Sequence, residues 1–346
     1  KDVAGHTNLA LSYFMGYRMP EAFAEGAKAC EIEPDNMDNR YNQGWYALAA
    51  GDFEQAKIEA GKTLQLEKSY SKALVVKALA DIALGRLDEA AKDYEGARSM
   101  GPLGASLESA GLADLALYQG QAAGAVAILT SGVALDETNR SSYRAADKML
   151  MLAEARLSQG KMPDAVKAAE RAVSLSDREE ILYAAGLVYG EAGQGDRARS
   201  IAAELGKRVQ DIHLAYAKLL GGHLSLMRKD APNALKLFDE AQALVDTWLG
   251  HFALGRTYLE AGAFVEAEAE FEKCEKRKGE ALSVFLNDLP TGRSLGDLDY
   301  WRGRALEGQG SRAAAKASYE KFLKIKAGAD PGQALIADAR GRLKTL

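Results

Sequence analysis

The stretch Gly44-Trp45-Tyr46-Ala47-Leu48-Ala49-Ala50-Gly51-Asp52-Phe53-Glu54-Gln55-Ala56 places small residues at offsets that recur along the whole chain. Its last residue is one of nine alanines, Ala22, Ala56, Ala90, Ala125, Ala165, Ala198, Ala234, Ala267 and Ala315, separated by 34, 34, 35, 40, 33, 36, 33 and 48 residues. A period near 34 is that of a helix–turn–helix unit, which buries its apolar face only by stacking on its neighbours. Twelve residues before each alanine stand Ala10, Gly44, Ala78, Ala113, Ala153, Gly186, Gly222, Gly255 and Gly303, all of them Ala or Gly. This second register predicts a close approach of the paired helices. Five residues before the alanine, Gly51, Gly85, Gly120, Gly160, Gly193, Gly262 and Gly310 suit the positive φ of a helix end and a tight turn.

Gly44…Gly51-Asp52-Phe53-Glu54-Gln55-Ala56 and Leu254-Gly255…Tyr258…Gly262…Ala267…Phe271 resemble the tetratricopeptide repeat. Tyr13, Tyr189 and Tyr258 match its first-helix aromatic position, Tyr94, Phe238, Phe271 and Tyr319 the large residue of its second helix, and Pro34 and Pro102 its closing proline. The tryptophan position is not filled by Trp in any repeat. The resemblance implies an all-α, right-handed α-α superhelical solenoid of about nine helix pairs, and protein or peptide partners. The repeats are expected at 3–36, 37–70, 71–104, 106–139, 146–178, 179–211, 215–247, 248–278 and 296–329, within one solenoid spanning 1–346. An insert at 279–295 and a C-terminal helix at 331–346 complete it. The insert, with an apolar helix and loop over Glu280–Thr291, fills the widest interval. After it, Asp299-Tyr300-Trp301-Arg302-Gly303-Arg304 and Ser318-Tyr319-Glu320-Lys321-Phe322 resemble the closing repeat of large bacterial serine/threonine protein kinases that carry such repeats beyond the catalytic domain. That resemblance implies a sensory or docking arm, and the start at Lys1, without an initiator Met or a signal-peptide core, is expected of a portion of a longer protein.

Composition fits helices. Hydrophobic residues make up 47% of the 346, enough for a continuous core, and there are only 7 prolines. No apolar run approaches the roughly 18 residues of a membrane-spanning helix, so direct membrane insertion is not expected. The expectation is a soluble domain, cytoplasmic or the extracytoplasmic part of a membrane-anchored protein.

The net charge of −5 argues against nucleic acid as a partner. Residues 271–346 carry 15 basic and 10 acidic side chains, a basic end against an acidic remainder. Lys321, Lys324, Lys326, Arg340 and Arg342 are expected there on exposed helix faces. Cys30 and Cys274 lie seven repeats apart, too far for a disulfide, and Cys274 occupies a small-residue packing position. His6, His213, His223 and His251 form no i,i+3 or i,i+4 pair, so neither a metal nor a cofactor is expected. HExxH, CxxC, GxSxG and protein-kinase signatures are absent, and no catalytic residue is assigned. Gly61-Lys62-Thr63 imitates the end of a phosphate-binding loop, but the glycine required five residues earlier is Ala56, itself a packing alanine.

Function is expected on the inward positions of the first helices, where a groove meets an extended ligand. Tyr41, Asn42, Trp45 and Lys72 represent the early repeats, Tyr118, Glu154 and Tyr183 the middle ones, and His223, Arg256, Tyr300, Trp301 and Arg304 the late ones. Tyr41-Asn42-Trp45 and Tyr300-Trp301-Arg304 share the spacing i, i+1, i+4, and as exposed aromatics beside an amide or guanidinium they have the composition of interface hot spots. A carboxylate clamp for a chaperone tail finds Asn42 and Lys72 in place, but Thr7, Leu11 and Val76 at its other positions, and is disfavoured. The leading expectation is a non-catalytic interaction solenoid binding an extended segment. A structural scaffold of an envelope or secretion assembly, with self-association through terminal repeats, is one alternative; an accessory arm of a kinase or glycosyltransferase is another.

Overall fold

The structure is a computed structural model in which residues 2–282 and 290–346 are described. It is 80% helical, with no strand among the described residues. In chain order the helices are α1 (Val3–Met15), α2 (Met19–Ile32), α3 (Met37–Ala50), α4 (Phe53–Leu66), α5 (Ser71–Ala83), α6 (Leu87–Ala97), α7 (Pro102–Tyr118), α8 (Ala122–Thr138), α9 (Ser142–Ser158) and α10 (Met162–Leu175). They continue as α11 (Glu179–Glu191), α12 (Gly195–Leu205), α13 (Asp211–Met227), α14 (Ala231–Leu244), α15 (Trp248–Glu260), α16 (Phe264–Lys276), α17 (Lys278–Ala281), α18 (Leu298–Gly308), α19 (Arg312–Ile325) and α20 (Ala334–Leu343). Of the insert expected at 279–295, residues 283–289 lie outside the described residues.

Each turn within a helix pair is built on one left-handed residue. The seven glycines of the third register all have positive φ, from 72° at Gly160 to 87° at Gly51, because the chain must reverse there without a Cβ clash. Where the register lacks glycine, Tyr17 and Lys229 take the same conformation, at φ 59° and 61°. Polar caps start several helices: Asn36 accepts from the Asn39 amide at 3.1 Å, Asp52 from Gln55 at 3.1 Å, and Asp230 from Asn233 at 3.2 Å.

The nine recurring alanines are all fully buried, at 0% exposure. The register twelve residues earlier seats aromatic rings. A Cβ added at Gly222 would lie 2.4 Å from Phe238, one at Gly255 2.6 Å from Phe271, and one at Gly303 2.7 Å from Tyr319. Each ring stands four residues after its alanine, so glycine on one helix and a ring on its partner form one packing unit. Gly61-Lys62-Thr63 lies inside α4, where the Thr63 hydroxyl donates to the Glu59 carbonyl at 2.9 Å. No phosphate loop forms there.

The helices divide between two compact units. Unit 1 comprises Lys1–Leu115 and Lys276–Arg293; unit 2 comprises Ala116–Glu275 and Ser294–Leu346. In unit 1, α17 packs on α3 and α5. A Cβ at Gly279 would come within 2.0 Å of the Leu48 carbonyl oxygen, so the two backbones are in direct contact. Arg293 then holds Asp114 twice, its backbone N–H donating to Oδ1 at 3.2 Å and its guanidinium at 3.0 Å.

In unit 2, the last repeat returns to the turn before α8. The Lys326 ammonium donates to the Tyr118 carbonyl at 2.7 Å and pairs with Asp297 at 3.1 Å. The Asp330 amide donates to the Gly120 carbonyl at 3.0 Å, and its carboxylate accepts from the Ala123 amide at 2.7 Å. Gln121, the N-cap of α8, makes no side-chain cap, and Asp330 supplies one from 207 residues away. Lys326, expected on an exposed face, is therefore 5% exposed: a carbonyl and a carboxylate draw it inside. Arg342 is likewise half-buried, bridging Glu307 at 2.8 Å and Asp338 at 2.6 Å, whereas Lys324 and Arg340 are exposed.

Candidate partner-binding surface

Most of the aromatics expected to be exposed are buried. Tyr41 is 8% and Trp45 7% exposed, with ring centroids 6.5 Å apart edge to face. Tyr41 also meets Tyr70 at 5.0 Å, and the Lys72 ammonium lies 5.8 Å from its ring centre. The cause is the stacking of repeats: each ring fills the gap between its own first helix and the next repeat, burying an area no single helix could cover. Asn42 and Lys72 beside them are half-buried. Asp114 of the same inward stripe is fully buried under Arg293, so part of that stripe in unit 1 is taken by the chain itself.

In unit 2, Tyr183 and Tyr216 stack at 4.9 Å between α11 and α13, and both are buried. Tyr118 is buried, with its carbonyl bound to Lys326. Tyr300, 2% exposed, donates to Asp338 at 2.7 Å and accepts from Arg304 at 3.2 Å, which ties α18 to α20. Tyr300 packs on Tyr319 and Phe322 in the core under the last helix. The expected Tyr300-Trp301-Arg304 cluster is thus split: Tyr300 and Arg304 join a structural network, and Trp301 remains half-open.

Trp301 gains a different partner. The Arg256 guanidinium stands 4.7 Å over its indole ring, linking α15 to α18. Arg256 Nε is buried without a hydrogen-bond partner among the described residues. His223 on α13 is edge-on to Phe238 at 5.2 Å, and burial pushes its imidazole down to about 3, with the Arg256 charge adding to the effect. It is neutral at physiological pH.

Glu191, which the residue pattern did not single out, completes this group. It is the last residue of α11 and is open to water, yet the protein around it raises its carboxyl above the usual range, Arg256 opposing the shift and Glu154 on α9 adding to it. Arg256 on α15 thus stacks on Trp301 of α18 and acts electrostatically on His223 of α13 and Glu191 of α11, and Glu154 of α9 acts on Glu191. The sequence did carry a signal for Glu191: an acid just before the Gly193 turn sits at the negative end of its helix, where a cation is preferred.

The remaining candidates for chemistry are structural. Cys30 and Cys274 are buried thiols outside any disulfide, and burial pushes Cys30 up to about 11. Among the described residues no group of three His, Cys, Asp or Glu side chains is placed to hold a metal ion, and no helix is long and apolar enough to cross a membrane.

The tetratricopeptide repeat pattern matches residues 41–105, 111–179 and 300–328. No curated protein matches this chain. Among solved structures, the human IFIT1 dimer with m7Gppp-AAAA is similar at 17% identity over 99% of this chain and 80% of its own, with a TM-score of 0.51. Yeast Tom70 is similar at 13% identity over 95% of this chain and 77% of its own, with a TM-score of 0.42. A tetratricopeptide repeat protein from Parabacteroides merdae is similar at 15% identity over 70% of this chain and 93% of its own, with a TM-score of 0.45. At these identities the likeness is one of fold. The chain carries tetratricopeptide repeats, an all-α solenoid fold of the kind that serves as a protein-interaction scaffold.

Proposed function

We propose that this chain is a non-catalytic interaction module that receives an extended segment of a protein partner on the inward surface of unit 2. The observation that carries the reading is the Arg256–Trp301 stack, 4.7 Å apart and half-open to water. A part-buried Arg and Trp stacked on one another are the residue types that dominate interface energies. In unit 1 the corresponding stripe already holds Arg293 at Asp114, and its aromatics are buried between helices.

Affinity capture with the purified chain tests this. The Arg256→Ala/Trp301→Ala variant is expected to lose a partner that the wild type retains, a cost of about 2 kcal/mol or more. Val265→Ser on α16, 68% exposed, should retain it. Equal capture by all three proteins, with unchanged helical circular dichroism, would refute the assignment. A docking arm for a bacterial kinase is the second reading, favoured by the resemblance of residues 299–326, and the full-length gene tests it.

A further inference from the structure

On unit 1 a segment of the chain itself lies across the first helices. Gly279 of α17 rests on the backbone of α3, and Gly292 reaches α5 and α7 together: a Cβ there would lie 3.0 Å from Asp114 Oδ2, 3.4 Å from Leu282 and 3.7 Å from Ile82. Arg293 closes the contact. Its backbone N–H and its guanidinium Nη1 both donate to Asp114 Oδ1, at 3.2 and 3.0 Å, and Nη1 also donates to the Pro290 carbonyl at 3.0 Å. Thr291 braces the segment from behind, its hydroxyl donating to the Ala281 carbonyl at 2.8 Å.

Asp114 stands at an inward position of a first helix, the kind of position from which a stacked-repeat array meets an extended ligand. What meets it is a stretch in which Pro290 and Thr291 belong to no helix and a glycine precedes an arginine. The Asp114 side chain is 0% exposed, and a carboxylate withdrawn so completely from water is strongly unfavourable without a cation beside it. Whatever replaces Arg293 must therefore bring its own positive charge. A guanidinium, whose fork of donors serves a carboxylate and a carbonyl at once, fits better than the point charge of a lysine. The residue before it must be as small as glycine, because Asp114 and Leu282 leave no room for more.

We propose that Asp114 is the centre of an arginine-binding site on unit 1. Residues 290–293 fill it as a ligand in cis, and a partner segment bearing a Gly-Arg pair enters it by exchange. Unit 1 is thereby closed until such a segment competes. The inference concerns unit 1 and stands apart from the surface proposed in unit 2.

The peptide acetyl-Pro-Thr-Gly-Arg-Ser-amide, and a counterpart with Gln in place of Arg, test the exchange by saturation-transfer NMR. Arg293→Ala removes the cis ligand's charge, and Gly292→Val crowds the segment away from Asp114. A tethered segment competes at an effective concentration on the order of millimolar, so both variants should bind the arginine peptide at least about tenfold more tightly than the wild type. Asp114→Asn added to Arg293→Ala should abolish that binding, and the glutamine peptide should bind none of the proteins. In the wild type, where no variant has to fold, millimolar arginine peptide should quicken amide exchange at 291–293 and the glutamine peptide should not. Equal affinity of wild type and variants, equal binding of the two peptides, no binding to variants that keep their helical circular dichroism, or exchange at 291–293 unmoved by the arginine peptide would each overturn the inference. Residues 290–293 would then be a fixed part of unit 1.

Discussion

Lys229 shows how strictly one backbone angle governs each turn. It holds φ at 61° where seven other turns use glycine, and a non-glycine residue there costs about 1 kcal/mol. Lys229→Gly should therefore raise stability by about that amount in urea unfolding, since the side chain is exposed and gives up no packing. The histidine clasp that joins α15 to α16 and to the loop before α15 is a second single-residue device. In its charged form His251 donates from both ring nitrogens, to Glu270 at 2.6 Å and to Asp246 at 2.8 Å. Burial opposes its charge, but the hydrogen bonds to the two carboxylates outweigh burial and hold the imidazole above its ordinary value, while His251 and Lys273 keep Glu270 below its own. The raised histidine contributes stability in full below about pH 6.5, the unfolded value, and loses it as pH rises through the native one. The lowered Glu270 contributes above about pH 4.5 and loses its share as pH falls. His251→Gln should thus cost about 1 kcal/mol near pH 6, and a Tm series should show that difference shrinking toward pH 9.

At the scale of the element, glycines of equal sequence weight carry different duties. Gly303 seats Tyr319 and Gly222 seats Phe238, so Gly303→Ala should destabilise by about 1–3 kcal/mol through overpacking. Gly124, inside α8, has nothing within 4 Å of its Cβ position, and Gly124→Ala should stabilise by about 0.5–1 kcal/mol. Thermal melts of the two variants should move in opposite directions. These helix pairs were legible in the sequence because their determinants act over five to twelve residues: a glycine for the turn, a small residue and a ring for the seam. The burial of Tyr41, Tyr183 and Tyr300 was not legible, because an inward position on one helix says nothing of how deeply the next repeat covers it. Glu191 was readable as an acid at a helix end, but its neighbours Glu154 and Arg256 lie 37 and 65 residues away.

At the scale of the molecule, long-range contacts reshape what the repeat pattern implies. Local stacking alone would leave the first and last repeats of unit 2 free, yet Lys326 and Asp330 bind the Tyr118–Ala123 turn. Lys326→Met should cost about 2 kcal/mol by stranding a buried carbonyl and Asp297, and amide exchange should quicken at the start of α8 as well as around α19. No period in the sequence announces a contact across 208 residues. Nor does one announce that Arg293 takes Asp114 in unit 1, and the proposed binding surface is placed in unit 2 for that reason. Hydrogen–deuterium exchange of the chain with and without a captured partner tests that division most directly. Protection is expected at 183–191, 220–223, 252–256 and 301–304, with 38–45 and 72–79 unchanged; protection confined to 38–45 and 72–79 would contradict a binding surface in unit 2.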